Sequence, residues 1–302
     1  MEPLRTRYTP SAPLSLSLTL GTLRQGSTDP TVRRDADGWW LALRLAAGIA
    51  TLHLRERADA VEAYAWGAGA EQALAGVPEL LGADDDDSGF EPARHPLVAE
   101  LHHRMRGLRL VRTRRILPHL VPTVLGQKVT GIEQKRAWRE LVTRHGEPAP
   151  GPAPLGMRVM PTAAVWRRVP SWEWHRAGVC PQRSDTLMRV FAVADSLERA
   201  VGVDSAEAGR RLRTIPGVGV WTVAETVQRS HGDPDAVSVG DFHVSKRVGA
   251  ALTGERVDDD GMLELLEPWA GHRQRVVRLI EAAGIGYERH GPRMTIADHR
   301  GR

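Results

Sequence analysis

The chain has a single cysteine, Cys180, among its 302 residues. One cysteine cannot close an internal disulfide, build a four-cysteine zinc site or ligate an iron–sulfur cluster. No apolar run approaches the roughly 18 residues a transmembrane helix needs, so no membrane partner is expected. The N-terminal stretch MEPLRTRYTPSAPLSLSLTLG alternates apolar with polar residues and holds no signal-peptide core. A cytoplasmic location is therefore expected. Lysine is scarce: only Lys128, Lys135 and Lys246 among 41 basic residues. No internal repeat of solenoid period is present.

What is there suits a globular protein. Hydrophobic residues at 41% and charged residues at 26% suffice for a sizeable core. The length allows one large domain or two to three smaller ones. Net charge is only +4, but it is unevenly spread. Residues 1–93 carry 8 Arg against 14 acids, and residues 94–145 carry 12 basic residues against 3 Glu. A basic middle behind an acidic N-terminal part reads as a polyanion-binding surface or as a solvated basic face.

Period-two alternation predicts strands over 12–20, 39–45 and 49–55, forming an antiparallel sheet. Short helices are expected on it over 59–66 and 70–81. The run Asp84 to Asp87 with Ser88 and Gly89 reads as a solvated, flexible break. From residue 96 the period becomes helical to the end of GHRQRVVRLIEAAG, after which a polar tail follows. A Pro/Gly loop over 146–156 interrupts the helices. The fold class expected is α+β: a small N-terminal antiparallel α/β domain over 1–90, then an all-α region over 91–302 built of two helical subdomains.

One segment carries chemistry. Residues 212–226 read LRTIPGVGVWTVAET, a helix end, a tight turn and a new helix. Gly217 and Gly219 leave no Cβ in the way of a phosphate, and the free N–H groups of the next helix attract one. Pro216, Gly217, Val218 and Gly219 would thus grip a nucleic-acid backbone without reading sequence. A plain helix–turn–helix connection is the other reading. Twenty residues past Trp221 comes Asp241, which opens the next helix. It is an N-cap, or a carboxylate that stabilises the oxocarbenium-like charge built when an N-glycosidic bond breaks.

The hairpin and the Asp resemble those of the helix-hairpin-helix base-excision DNA glycosylases, in particular the branch of 3-methyladenine DNA glycosylase II. The resemblance spans roughly residues 94–285. Leu125-Gly126-Gln127 is similar to the family's Leu-Gly-Gln helix. Met160-Pro161-Thr162 is similar to its Pro-Thr-Pro-type loop, and Pro268-Trp269 with Arg273 to its closing helix. Asp241 falls on the catalytic Asp. The resemblance implies an enzyme that binds double-stranded DNA, flips a damaged purine out and hydrolyses its glycosidic bond. It implies a monomer with no cofactor and no metal held by side chains, although hairpins of this kind often hold a monovalent cation on backbone carbonyls. Lyase-competent members carry a hairpin Lys, where this chain has Trp221. A monofunctional enzyme that leaves an abasic site is therefore expected.

Trp221 would form an aromatic wall of the base pocket. Gln127, Arg183 and Arg273 would meet DNA. The chain departs from the family in three places. Lys128 stands where an apolar wedge is common, Glu225 replaces a pocket aromatic, and His243 follows Asp241 at the pocket edge. These departures bear on substrate range. The leading substrate class is alkylated purines. Oxidised or deaminated purines such as 8-oxoguanine and hypoxanthine are a second reading, and a non-catalytic DNA-binding protein is a third.

Overall fold

The computed structural model describes residues 2–287. The polar tail expected beyond the last helix lies, from residue 288 onward, outside the described residues. The first elements are β1 (Leu4–Tyr8), α1 (Leu16–Leu20), β2 (Val32–Asp35), β3 (Gly38–Leu45), β4 (Gly48–Glu56) and β5 (Val61–Trp66). The strands form one antiparallel sheet in the order β1-β5-β4-β3-β2. Helices α2 (Ala70–Ala75) and α3 (Val77–Leu80) complete this part. Leu41, Leu43, Leu52, Leu54, Ala63 and Ala65 bury with Leu16, Leu20, Ala73 and Val77 on one core. Trp40, Ala42 and Trp66 bury against Met157 and Val159 from the Pro/Gly loop region. Both sides of the sheet are thus used, which explains the mixed hydrophobic pattern of β3 and β4.

Two expectations fail here. Residues 12–20 do not form a strand. The Ser15 side chain accepts from Leu18 N–H and caps α1, and Leu16, Thr19 and Leu20 bury at helical spacing. A Leu-Ser alternation this short fits both periods. Residues 59–66 are not a helix. Val61, Ala63 and Ala65 point to the core from β5, which pairs with both β1 and β4. Two ladders of hydrogen bonds override the helix preference of Ala and Glu.

The region over 91–302 is not all-α as expected, because Glu147–Pro148 pairs antiparallel with Arg158–Val159 in the Pro/Gly loop region. The other elements are helices: α4 (Pro96–Arg104), α5 (Leu117–Leu125), α6 (Gly131–His145), α7 (Ala163–Trp166), α8 (Ser171–Arg176), α9 (Pro181–Ala192), α10 (Ala194–Glu198), α11 (Ser205–Arg213), α12 (Val220–Ser230), α13 (Val244–Thr253), α14 (Asp259–Leu266) and α15 (Arg273–Ala282). They build two cores. Leu120, Val124, Trp138, Trp166, Leu187, Leu212 and Val218 belong to one. Val98, Leu101, Val244, Val248, Met262, Leu266, Val276 and Ile280 belong to the other. The chain passes from the first core to the second between α12 and α13. That crossing is where Asp241 lies.

The acidic run is no solvated break. Asp84 pairs with Arg112 at 2.8 Å, Asp85 with Arg275 at 2.6 Å and Asp87 with Arg109 at 3.2 Å. Arg114 pairs with Glu79 at 3.2 Å. The acidic loop and part of the basic middle therefore neutralise one another. Arginines 109, 112 and 114 are structural partners rather than a free surface for a polyanion.

Several histidines are held neutral. Burial pushes the imidazoles of His53, His119 and His231 down, His119 well below the ordinary value of 6.5. Below that value the unfolded chain binds protons that the folded chain refuses, so stability falls as pH falls. We expect urea unfolding to show a loss between about pH 7.5 and 5.5, up to about 1.4 kcal/mol per pH unit for each fully buried ring. His119→Gln should flatten that slope. An unchanged slope would contradict the assignment.

Candidate active site

The turn between α11 and α12 is built by its anchors. Ile215 and Val218 are buried, while Pro216, Gly217, Gly219 and Val220 are exposed. Val218 can therefore offer a ligand only its backbone. Gly217 sits at φ +97°, and a Cβ there would strike the Thr186 side chain. Gly219 opens α12 without a side-chain cap. The first N–H groups of α12 thus keep the unsatisfied character that binds anions. Gly217→Ala is expected to destabilise the fold by about 1–3 kcal/mol through strain. Gly219→Ala, whose Cβ meets nothing within 4 Å, should cost less. Equal urea midpoints for the two variants would contradict this.

Two side chains brace the turn. Gln127 Nε2 donates to Gly217 O at 2.9 Å and to Thr222 Oγ1 at 2.9 Å. Arg189 donates to Pro216 O at 3.3 Å. In this structure Gln127 holds the hairpin rather than projecting from the surface. Lys128, next to it, is exposed at φ +57°. A left-handed conformation is uncommon for a side chain other than Gly, Asn or Asp.

Asp241 both opens α13 and holds Trp221. Its Oδ1 accepts from His243 N–H at 2.7 Å and Val244 N–H at 3.0 Å, which starts α13. Its Oδ2 accepts from Trp221 Nε1 at 3.1 Å. That bond joins the two helical cores. Gly240 precedes Asp241 at φ +89° and donates its N–H to Asp259 at 2.9 Å. His243 Nδ1 lies 2.7 Å from the Tyr287 hydroxyl. Sequence reasoning missed Tyr287, which belongs to no motif. Its distance along the chain left no local signal.

Three sequence expectations are corrected by packing. Arg183 is only 5% exposed. It donates to Leu125 O at 2.6 Å and Gly178 O at 2.7 Å, so it ties α9 to the end of α5 instead of meeting a phosphate. Arg273 makes a two-point pair with Asp235, a fixed acid partner rather than a free cation. The Glu225 carboxylate receives Ser238 Oγ on one oxygen and the Arg229 guanidinium on the other, so it is held by internal partners rather than left free for a base. Arg229 also donates to Thr22 O at 3.1 Å. Ser238 O accepts the Asp241 N–H at 3.2 Å. Glu225 therefore belongs to a brace running from the N-terminal part to the Asp241 loop.

No protein-family model matches this chain. No curated protein matches it either. Solved structures do. A 3-methyladenine DNA glycosylase from Archaeoglobus fulgidus is similar with TM-score 0.76 at 14% identity, over 91% of this chain and 97% of that one. An 8-oxoguanine glycosylase/lyase from Clostridium acetobutylicum, solved with double-stranded DNA, reaches TM-score 0.70 at 14% identity, over 94% and 98%. A 3-methyladenine DNA glycosylase from Schizosaccharomyces pombe, in complex with abasic DNA, reaches 0.51 at 17% identity, over 64% and 92%. The antiparallel sheet and the two helical cores thus form the fold seen in these DNA glycosylase structures.

Proposed function

We propose that the chain is a monofunctional DNA glycosylase that removes alkylated purines from double-stranded DNA and leaves an abasic site. The observation that carries this reading is the Asp241 carboxylate, fixed by Trp221 Nε1 and two backbone N–H groups beside an open glycine hairpin. The hairpin N–H groups hold a phosphate and set the register of the strand. The flipped nucleotide then brings its C1′ to Asp241. As the C1′–N bond breaks, the electron pair leaves with the base, and the carboxylate stabilises the positive sugar. Water adds to C1′ and gives its proton to the carboxylate. A purine alkylated at N3 or N7 is cationic in the nucleotide and departs as a neutral molecule, so modest catalysis suffices.

Trp221 has its N–H committed to Asp241, which fixes the plane of the indole. A π-face so oriented suits stacking on an electron-poor base. No lysine lies on the hairpin. The imine route to strand cleavage therefore has no nucleophile there. The chemistry proposed needs no cofactor. A monovalent cation on hairpin carbonyls would strengthen the phosphate grip only. The protein would act as a monomer in the cytoplasm.

A second reading is oxidised or deaminated purines. The similarity to the Clostridium acetobutylicum 8-oxoguanine glycosylase/lyase, across 98% of that chain, favours keeping it. A panel of single-lesion duplexes separates the two. It would hold a 3-methyladenine mimic, 7-methylguanine, ethenoadenine, hypoxanthine and 8-oxoguanine, each assayed with and without hot alkali. Cutting of the alkylated members only after alkali is the expected result. Cutting without alkali would overturn the monofunctional assignment. Cutting confined to 8-oxoguanine would overturn the alkylated-purine assignment.

A further inference from the structure

Seven large apolar side chains are exposed in the described residues. Two of them directly adjoin the pair at the site: Val220 beside Trp221, and Phe242 beside Asp241. Phe242 is 72% exposed, whereas Phe90 and Phe191, the chain's other phenylalanines, are buried. Leaving a Phe in water forgoes about 1.5–3 kcal/mol of burial. The ring is held in place nonetheless. Lys246 Nζ lies over it at 3.4 Å from the centroid and donates to Phe242 O at 2.9 Å. The Phe242 and His243 rings stand T-shaped to one another with centroids 5.0 Å apart. The result is an ordered apolar plate with an ammonium against it, one residue from the carboxylate. Lys128, next to the Gln127 that braces the hairpin, offers a charge instead of an apolar side chain, and the exposed apolar residues adjoining Trp221 and Asp241 are Val220 and Phe242.

We propose that Phe242 and Lys246 form a clamp on the damaged strand. The ring packs against deoxyribose at or next to the everted nucleotide, and the ammonium neutralises an adjoining phosphate. This rests on the glycosylase reading, because that reading places C1′ at Asp241. Consecutive Cα atoms are about 3.8 Å apart, so the exposed Phe242 ring lies within reach of a strand engaged by Asp241. A sugar presents a flat C–H surface and a phosphate a fixed negative charge. The pair matches both, and it carries no base-specific donor or acceptor. It therefore contributes affinity without choosing the lesion.

The test is binding to a duplex with one tetrahydrofuran abasic analogue, followed over a salt series, together with base release under single turnover. Phe242→Ala is expected to weaken binding about tenfold, equal to about 1.4 kcal/mol, with the salt slope unchanged. Phe242→Leu should recover most of the loss. Lys246→Gln should lower the slope of log K against log salt by about one. All three should melt with the wild type, since the ring lies on the surface. Wild-type binding by Phe242→Ala would overturn the clamp even if base release is intact. Absence of wild-type base release, with binding still sensitive to Phe242, would overturn the glycosylase reading and the placement at an everted nucleotide, leaving Phe242 as a DNA contact only. Failure of the wild type to bind the abasic duplex would overturn both.

Discussion

Asp241→Asn should lower base release by about a hundred- to ten-thousand-fold, the range lost with a positioned acid–base group, while duplex binding stays within about twofold. The substitution keeps the shape of the side chain. One amide oxygen can still accept from Trp221, or from the start of α13, but not from both sides as the carboxylate does. The cost to folding is therefore that of a weakened cap, about 1 kcal/mol. The cost to catalysis is larger, because the negative charge is removed. Parallel loss of binding and release would show Asp241 to be a structural cap only.

The largest expected effect on stability lies far from the hairpin. Asp85 and Arg275 are 2% and 3% exposed and make a two-point pair, and Asp85 also accepts from Leu110 N–H at 3.0 Å. Removing one partner leaves the other charge buried without its counter-ion. Asp85→Ala is expected to cost about 3–5 kcal/mol, a large part of the 5–15 kcal/mol typical of a folded domain. Arg275→Met combined with Asp85→Leu should cost less, since no bare charge remains. Urea unfolding of the two variants decides it. Equal losses for the single and double variants would mean that packing, not the pair, holds this seam.

Legibility differed between motif and partner. The hairpin was readable because glycine spacing, flanking helices and an Asp twenty residues on are all local facts. Strands β3 and β4 were readable because alternation persisted over seven residues or more. Residues 61–66 were misread because Ala and Glu carry a helix preference that only pairing with β1 and β4 could override. The partners of charged residues were the least legible. Nothing in the local sequence says that Arg183 would find two carbonyls, that Arg273 would find Asp235, or that an acidic run would be matched by arginines 22 to 190 residues away. Charge clustering in a sequence counts residues before their internal partners are known. Phe242 and Tyr287 show the converse. Each gains meaning only from its place beside Asp241 and His243.

The central claim is hydrolysis of a glycosidic bond with Asp241 as the catalytic carboxylate. Its most direct test is the free base released from methylated duplex DNA, identified by chromatography and mass. The account predicts free alkylated purine from the wild-type protein, none above background from Asp241→Asn, and an intact strand until alkali is added. Equal release by the wild type and Asp241→Asn, or binding with no release of any alkylated base, would contradict it.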